Sequence, residues 1–521
     1  MAHVKIICLL AMLSACPRLA AAGPELPLSR YVNPFIGTDP NPVIHEGYSW
    51  DTGNVFPGAV CPRGMLAWGP DTTHKNRIAG GYWYPDNVID DFSLTHFSGR
   101  GVVCLMDVPF MPTVQPVTES PGKNWNPFAA AFSHSNEAAS AGYYRVKLDN
   151  GIDVELTATP RTGMARFTFP PEEPGTVLIR ANGSISVHSN EVTGVYHDHI
   201  GGGKRDFTIY FIARFDQPIQ RVQTWSENSL TSQADASGKN CGAVLTFEPS
   251  DAGIQCRVAI SYVSLDNARA NLAAENPSWD FSAVRQKADA EWNTVLNRIQ
   301  ADGGSEDQRK SFYTALYHCF MHPNLLDDVN GEYPGMDGKI HAVSPGHQHQ
   351  YQNIPAWDQY RSLAPLVAIL APNEASDIAQ SLVNYAQQDA AVRPHGGGLP
   401  RWQQVNRNSG GMVGDGDDII LADEYAFGAN RFDTHAALAA MVKGASMPGT
   451  TSDGFEVRQG LEDYLKLGYV PGAASVTLEY CNADFALSQF ADALGDHKTC
   501  VAFQDRAQNW KNLFDESTGL P

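Results

Sequence analysis

TIYFIARF, residues Thr208–Phe215, alternates apolar and polar positions in a short run, the period of a strand with one face packed and the other wet. The same alternation recurs in YRVKL (Tyr144–Leu148), DVELT (Asp153–Thr157), ARFTF (Ala165–Phe169) and RVAISYV (Arg257–Val263). Gly, Pro, Asn and Asp separate the runs, as turns require. Residues 25–270 are therefore expected to form an antiparallel β-sandwich domain.

The pattern changes near Asn271. Phe281, Val284, Ala288, Trp292, Val295, Leu296 and Ile299 recur at helical spacing within Trp279–Gln300, with Ser278 as the expected cap and ADGGS (Ala301–Ser305) as the break. Residues 271–305 read as a helical linker between two domains. From 306 to 521 helical patterns dominate: Gln308–His322, Glu374–Gln388, Thr434–Ala445, Val457–Leu467 and Thr477–Leu494. Long loops rich in Gly and aromatic residues separate them. Short turns alternating with long decorated loops describe an (α/α)6-type barrel, whose loops at one end build a site; a plain helical bundle has shorter connections. The expected architecture is a multidomain β + α chain.

The net charge of −20 disfavours nucleic acid as a partner. It suits neutral substrates, or a hard cation held by carboxylates. The aromatic content of 10% supplies stacking surface for a sugar. Lys5 followed by the apolar run Ile6–Ser14 reads as an export signal over residues 1–22. Ala20-Ala21-Ala22 before Gly23 fits a signal-peptidase site and a periplasmic or secreted product. Leu13-Ser14-Ala15-Cys16 resembles a lipobox, which would make Cys16 the lipid anchor of an outer-membrane lipoprotein. No later segment is long and apolar enough to cross a bilayer. Export permits disulfides, and Cys241 and Cys256 could close a hairpin, although sequence does not give the connectivity; the absence of any Cys-x-x-Cys argues against a zinc ribbon.

Chemistry-bearing residues cluster in a few places. Gly80–Gly101, GGYWYPDNVIDDFSLTHFSGRG, sets aromatic faces beside carboxylates and His96, a combination suited to a sugar's C–H faces and hydroxyls. A Gly-rich connection whose aromatics cover a sheet edge is the other reading. Trp357-Asp358-Gln359-Tyr360-Arg361 precedes a helix; Asp358 either caps it or accepts sugar hydroxyls, with Trp357 as platform. Gly396–Trp402 offers Arg401 and Trp402 as a donor and a stacking face, or a simple turn. MVGDGDD (Met412–Asp418) lacks the spaced ligands of a calcium loop and reads as an acidic helix start. Glu479 and Asp484, five apart on a helix, point about 140° apart, so they do not make a glycosidase acid–base pair by themselves. His318 and His322 straddle a helix end before Pro323 and read as packing rather than a metal pair.

Taken in order, YVNPFIGT (Tyr31–Thr38), GNVFPG (Gly53–Gly58), WGPD (Trp68–Asp71), Phe92–Gly101, WDQYR (Trp357–Arg361), GLPRW (Gly398–Trp402) and TLEY (Thr477–Tyr480) resemble glycoside hydrolase family 92, the calcium-dependent exo-acting α-mannosidases. The resemblance implies a β-sandwich packed on an (α/α)6 barrel with the active site between them. It also implies inverting release of terminal α-mannose from N-glycans or mannans, helped by Ca2+, with α-1,2 the first expectation among α-1,2, α-1,3, α-1,4 and mannose phosphate linkages. Asp358 would bind the mannose in the catalytic subsite, and Trp357, Arg361, Arg401, Trp402 and Glu479 would line the barrel mouth, with His96 as a further substrate-binding candidate. The family's Glu-Gly-Asn, Gly-Asn-Glu-Pro and Gly-Asn-Asp-Asp motifs, which carry the acid, the calcium ligands and the base, do not occur in these 521 residues. The resemblance therefore places the catalytic pair and the metal ligands in sequence beyond Pro521, and predicts an incomplete barrel with little turnover. Two other readings stand beside it: a non-catalytic mannose- or glycan-binding protein, and a different α/α-barrel glycosidase or phosphorylase using Asp358 with Asp415, Asp417 or Glu479.

Overall fold

Ile209, Phe211, Ala213 and Phe215 are fully buried, while Thr208, Tyr210 and Arg214 between them are half-buried. The alternation in TIYFIARF is thus a strand with one face in the core. The computed structural model describes residues 27–39, 52–73, 79–99, 101, 103–171, 173–200, 205–514 and 517–518. The expected leader over residues 1–22, Cys16 included, lies outside the described residues.

The first half contains β1 (Ala59–Val60), β2 (Ala67–Thr72), β3 (Val88–Ser93), β4 (Phe110–Thr113), β5 (Ala130–Ser140), β6 (Tyr143–Leu148), β7 (Asp153–Ala158), β8 (Thr162–Thr168), β9 (Thr176–His188), β10 (Glu191–Ile200), β11 (Arg205–Phe215), β12 (Arg221–Ser226), β13 (Ser229–Thr231), β14 (Asp235–Thr246) and β15 (Ile254–Ser261). Two details depart from a pair of separate antiparallel sheets. The strands form one connected ladder, β1-β2-β3-β5-β6-β7-β8-β15-β11-β10-β9-β14-β12-β13, and β4 pairs with both β3 and β9. The pairing of β10 with β9 is parallel, at Tyr196 and Asn182. The cause is the length of β9, 13 residues. One of its edges pairs with β14; the other is shared between β4, over Thr176–Ile179, and β10, at Asn182. β9 thereby pairs along both edges, and through β4 and β3 the hydrogen-bonded path closes on itself. Cys241 on β14 and Cys256 on β15 are both free, buried thiols on strands that are not neighbours in the ladder, so the expected hairpin disulfide is not formed.

Helices take over at α1 (Leu265–Glu275), earlier than the change expected near Asn271. Its Ala268 and Leu272 cover Ile212 and Ala259, burying part of the sheet's second face. In α2 (Phe281–Leu296) the expected apolar stripe is buried, but the cap is Asp280, which accepts from the Ala283 N–H at 3.0 Å, rather than Ser278. Ser305 and Gln308 form a reciprocal capping box at the start of α3 (Glu306–Cys319). There follow α4 (Ala356–Gln359), α5 (Leu363–Leu370), α6 (Pro372–Val392), α7 (Gly416–Ala426), α8 (Thr434–Ser446), α9 (Leu461–Leu467), α10 (Ala474–Ala493) and α11 (His497–Arg506). α5, α6 and α7 pack on one another, and α10 packs on α7, α8 and α11.

The β-rich and helical halves are tied by buried polar contacts. Trp292 Nε1 donates to the Val60 carbonyl at 2.7 Å, and Asn324 Nδ2 to the Gly64 carbonyl at 2.7 Å. Arg161 pairs with Glu275 and with Asp327, each at 2.8 Å. Donors and acceptors this buried must be satisfied, so the contacts hold the two halves in one register.

Candidate functional site

A cleft of about 450 Å³ opens between the two halves. Ile36, Gly37, Gly53, Val55 and the segment Phe97–Gly99 line it from the β-rich side, and Thr314, His318, His322, Asp358 and Gln359 from the helical side. Glycines on the first wall keep the backbone open. A Cβ on Gly37, whose φ is +97°, would lie 3.0 Å from a Val55 methyl.

The helical wall is built on α4. Its single turn is closed by Tyr360 N–H donating to the Ala356 carbonyl at 3.0 Å. Successive residues of a helix point about 100° apart. Asp358 is exposed and lines the cleft, while Trp357 turns toward α10. Glu479 of α10 receives three side chains from the α4 region: Trp357 Nε1 at 3.2 Å, Tyr360 hydroxyl at 2.9 Å and Arg361 guanidinium at 3.2 Å. Arg361 also lies over the Trp357 ring at 4.2 Å and the Tyr360 ring at 4.8 Å. Burial and the Glu479 hydrogen bond push the Tyr360 hydroxyl up to about 12, so it stays a donor throughout the neutral range.

Trp402 and Arg401 are buried one loop away. The Arg401 guanidinium donates to the Gly410 carbonyl, and a Cβ on Gly411 would lie 3.6 Å from the Trp402 ring. At the other end of that loop Gly414, with φ +81°, passes so close to Glu479 that a Cβ would come within 2.8 Å of the glutamate's own. Trp357, Arg361 and Glu479 are thus in direct contact beside Asp358, but neither they nor Arg401 and Trp402 are among the residues lining the cleft, where Asp358 stands without them.

His96 has a different setting. It is buried, stacked on Phe56 at 4.5 Å, with its ring nitrogens 2.8 Å from the Ala67 carbonyl and 3.3 Å from Asp71. It is not among the residues lining the cleft, although Phe97 next to it is. The aromatics of Gly80–Gly101 also turn inward: Tyr82 donates to Glu137 at 2.9 Å, and Tyr84 stacks on His134 at 4.1 Å.

His318 and His322 line the cleft, a position that helical spacing alone did not mark. His322 stacks on Phe97 at 4.5 Å and accepts from the Ser98 N–H at 2.8 Å. Burial pulls both imidazoles down to about 4, so both are neutral at pH 7. The signal for the opposite, β-rich wall lay in the motifs YVNPFIGT and GNVFPG, whose Ile36, Gly37, Gly53 and Val55 line it.

Asp415, Asp417 and Asp418 at the start of α7 are fully buried. Asp415 pairs with Arg458 at 2.5 Å, and Asp484 with the same guanidinium at 2.6 Å. Among the described residues no group of three or more His, Cys, Asp or Glu side chains is arranged to hold a metal ion. The described residues therefore offer the calcium ion that the resemblance implies no cluster of carboxylate or imidazole ligands.

Two family models cover nearly all of this chain: the glycosyl hydrolase family 92 N-terminal domain over residues 31–261 and the glycosyl hydrolase family 92 catalytic domain over residues 267–521. The chain belongs to glycosyl hydrolase family 92. The fold agrees with solved members of family 92. The GH92 α-mannosidase BT3965 of Bacteroides thetaiotaomicron is 29% identical with a TM-score of 0.84, over 94% of this chain and 66% of that one. The GH92 inverting mannosidase BT2199 of the same organism is 28% identical with a TM-score of 0.84, over 96% of this chain and 66% of that one. An uncharacterized secreted glycosidase of Arthroderma benhamiae is 24% identical over 95% of this chain and 63% of its own length. The chain thus spans about two thirds of the length of these relatives.

Proposed function

We propose that the protein carrying these residues is an exported exo-acting α-mannosidase. It would release terminal mannose with inversion, α-1,2-linked mannose of N-glycans or mannans being the substrate class. The helices would belong to an (α/α)6 barrel facing a β-sandwich. Export is supported by the leader pattern at the N-terminus and by the secreted description of the fungal relative. The observation that carries the reading is the Asp358 carboxylate set in the wall of the interdomain cleft, with His318 and His322 on the same side. A carboxylate accepts two sugar hydroxyls at once. A solved relative, BT3965, holds mannoimidazole.

Isothermal titration of mannoimidazole into this chain tests the reading. Binding is expected, and Asp358→Asn is expected to weaken it by a factor on the order of 10 to 100, the worth of a charge-assisted hydrogen-bond pair. A folded chain that ignores mannoimidazole, or one in which Asp358→Asn binds equally well, overturns it.

A second reading has its own observation. Inverting hydrolysis takes two carboxyl groups, one on each side of the scissile bond. Among the described residues lining the cleft, Asp358 is the one carboxylate. Mannose binding without turnover by these residues is the corresponding expectation, and release of free mannose from an α-1,2-mannobiose by this chain would exclude it.

A further inference from the structure

Glu479, beside the cleft, is a heavily engaged carboxylate. Oε1 accepts from Trp357 and Arg361 and Oε2 from Tyr360, three of the roughly four acceptor positions a carboxylate has. Its side chain is 16% exposed. Gly414 passes over it, closing the side on which a larger residue would stand. A group with these commitments has little left for a sugar hydroxyl. Its donors, however, are the residue before Asp358 and the second and third residues after it.

A lone helical turn is not stable by itself, since the first turn fixes several dihedrals for one hydrogen bond. α4 is four residues long and has no side-chain cap. Something outside it must hold its orientation. One support is α7, where a Cβ on Gly416 would lie 3.0 Å from the Ala356 carbonyl carbon. A second is Glu479.

We infer that Glu479 is a positioning residue rather than a substrate ligand: from α10 it holds the α4 turn through Trp357, Tyr360 and Arg361, and so fixes the direction in which Asp358 meets the sugar. The inference rests on the mannose-binding reading of the cleft. It extends that reading by assigning the precision of Asp358 to a residue far away in sequence. The three donors make the hold directional: the indole and phenol set the rotation of the turn, and the guanidinium, layered on both rings, holds them together.

The test uses the full chain labelled with 15N-tryptophan. The Trp357 indole N–H resonance is assigned by its disappearance in Trp357→Phe, and mannoimidazole affinity is measured in parallel. Glu479→Gln keeps one acceptor and loses the charge. It is expected to move the Trp357 resonance in the ligand-free chain and to weaken mannoimidazole about three- to tenfold, one lost hydrogen bond's worth. Tyr360→Phe removes one donor without touching the carboxylate and is expected to weaken binding by a smaller factor. Loss of all binding in Glu479→Gln with an unmoved indole resonance makes Glu479 a sugar ligand and overturns the inference. An unmoved resonance with unchanged affinity overturns it as well. If the unaltered chain binds no mannoimidazole, the cleft reading itself falls, and the positioning role falls with it. That outcome is told apart from the others because it appears before any substitution is made.

Discussion

Glu479 and Asp484 sit five residues apart on one helix, each against arginine, and the two groups are opposites. Glu479 is 16% exposed and its partner Arg361 is 45% exposed, with two aromatic rings completing the group. Asp484 and Arg458 are wholly buried, and Asp484 also takes Arg506 at 2.6 Å and the Tyr464 hydroxyl at 2.8 Å. α10 separates them, as the angular offset of five helical residues requires. The same pair of chemical groups does two jobs according to burial. The inner one neutralises carboxylates that packing has taken out of water. The outer one arranges side chains at the edge of a cleft.

The inner group is where the largest effect is expected. Arg458→Met keeps most of the side-chain length but removes the cation shared by Asp415 and Asp484. Breaking a buried pair on one side leaves uncompensated charge and costs about 3–5 kcal/mol. Urea or thermal unfolding should show that loss. A cost below about 1 kcal/mol would mean that the inner group behaves like a surface one, and the contrast would fail.

Next in size is a pH effect that sets His318 and His322, at and just beyond the end of α3, against α7. His318 and His322 have folded-state values pulled down by burial to about 4. The unfolded chain takes up protons on these imidazoles from about pH 6.5 downward while the folded chain does not. Their contribution is therefore whole above about pH 6.5 and is lost as pH falls toward 4, about 3 kcal/mol for the fully enclosed His322. Asp417, Asp418 and Glu424 run the other way. Burial raises all three carboxyls, and both Asp417 oxygens are buried with no hydrogen-bond partner among the described residues. The folded chain keeps those protons while the unfolded chain releases them near the ordinary carboxylate range, so stability declines as pH rises above it. Asp417→Asn should flatten the alkaline side of the unfolding midpoint against pH, and His322→Gln the acid side. A curve unchanged by both would show that neither group titrates as its burial implies.

These contrasts bear on how much was legible in the sequence. Strands such as TIYFIARF and helices such as Thr434–Ser446 were legible because period-2 and period-3.6 patterns report one buried face. The closing of the ladder through β9 was not, because pairing on a second edge leaves no periodic trace in the strand itself. Trp357, Asp358 and Arg361 could be chosen from one short motif. That Glu479 faces them, and Asp484 faces away toward Arg458, depends on which elements pack against α10, which local spacing does not encode. His96 drew notice by its neighbours in Gly80–Gly101, yet a histidine beside aromatics is equally a buried one, and its ring is enclosed by Phe56, Asp71 and Ala67. His318 and His322 read as packing, which they do, on the wall of the cleft.

The smallest stability effect belongs to the outer group and sharpens the comparison most. Arg361→Met removes an exposed ion pair to Glu479 and two cation–π contacts, at 4.2 and 4.8 Å. Exposed pairs are worth about 0–1 kcal/mol and exposed cation–π contacts about 0.5–1 kcal/mol, and methionine keeps part of the stacking. The unfolding midpoint should therefore move little, far less than for Arg458→Met. Mannoimidazole affinity should nonetheless fall several-fold, because the layer that holds Trp357 and Tyr360 around Asp358 loses its centre. A shift in stability as large as that of Arg458→Met, with affinity unchanged, would reverse the assignment and make the outer group the structural one. A small shift with a clear loss of affinity is what separates a group that positions a binding residue from one that neutralises buried charge.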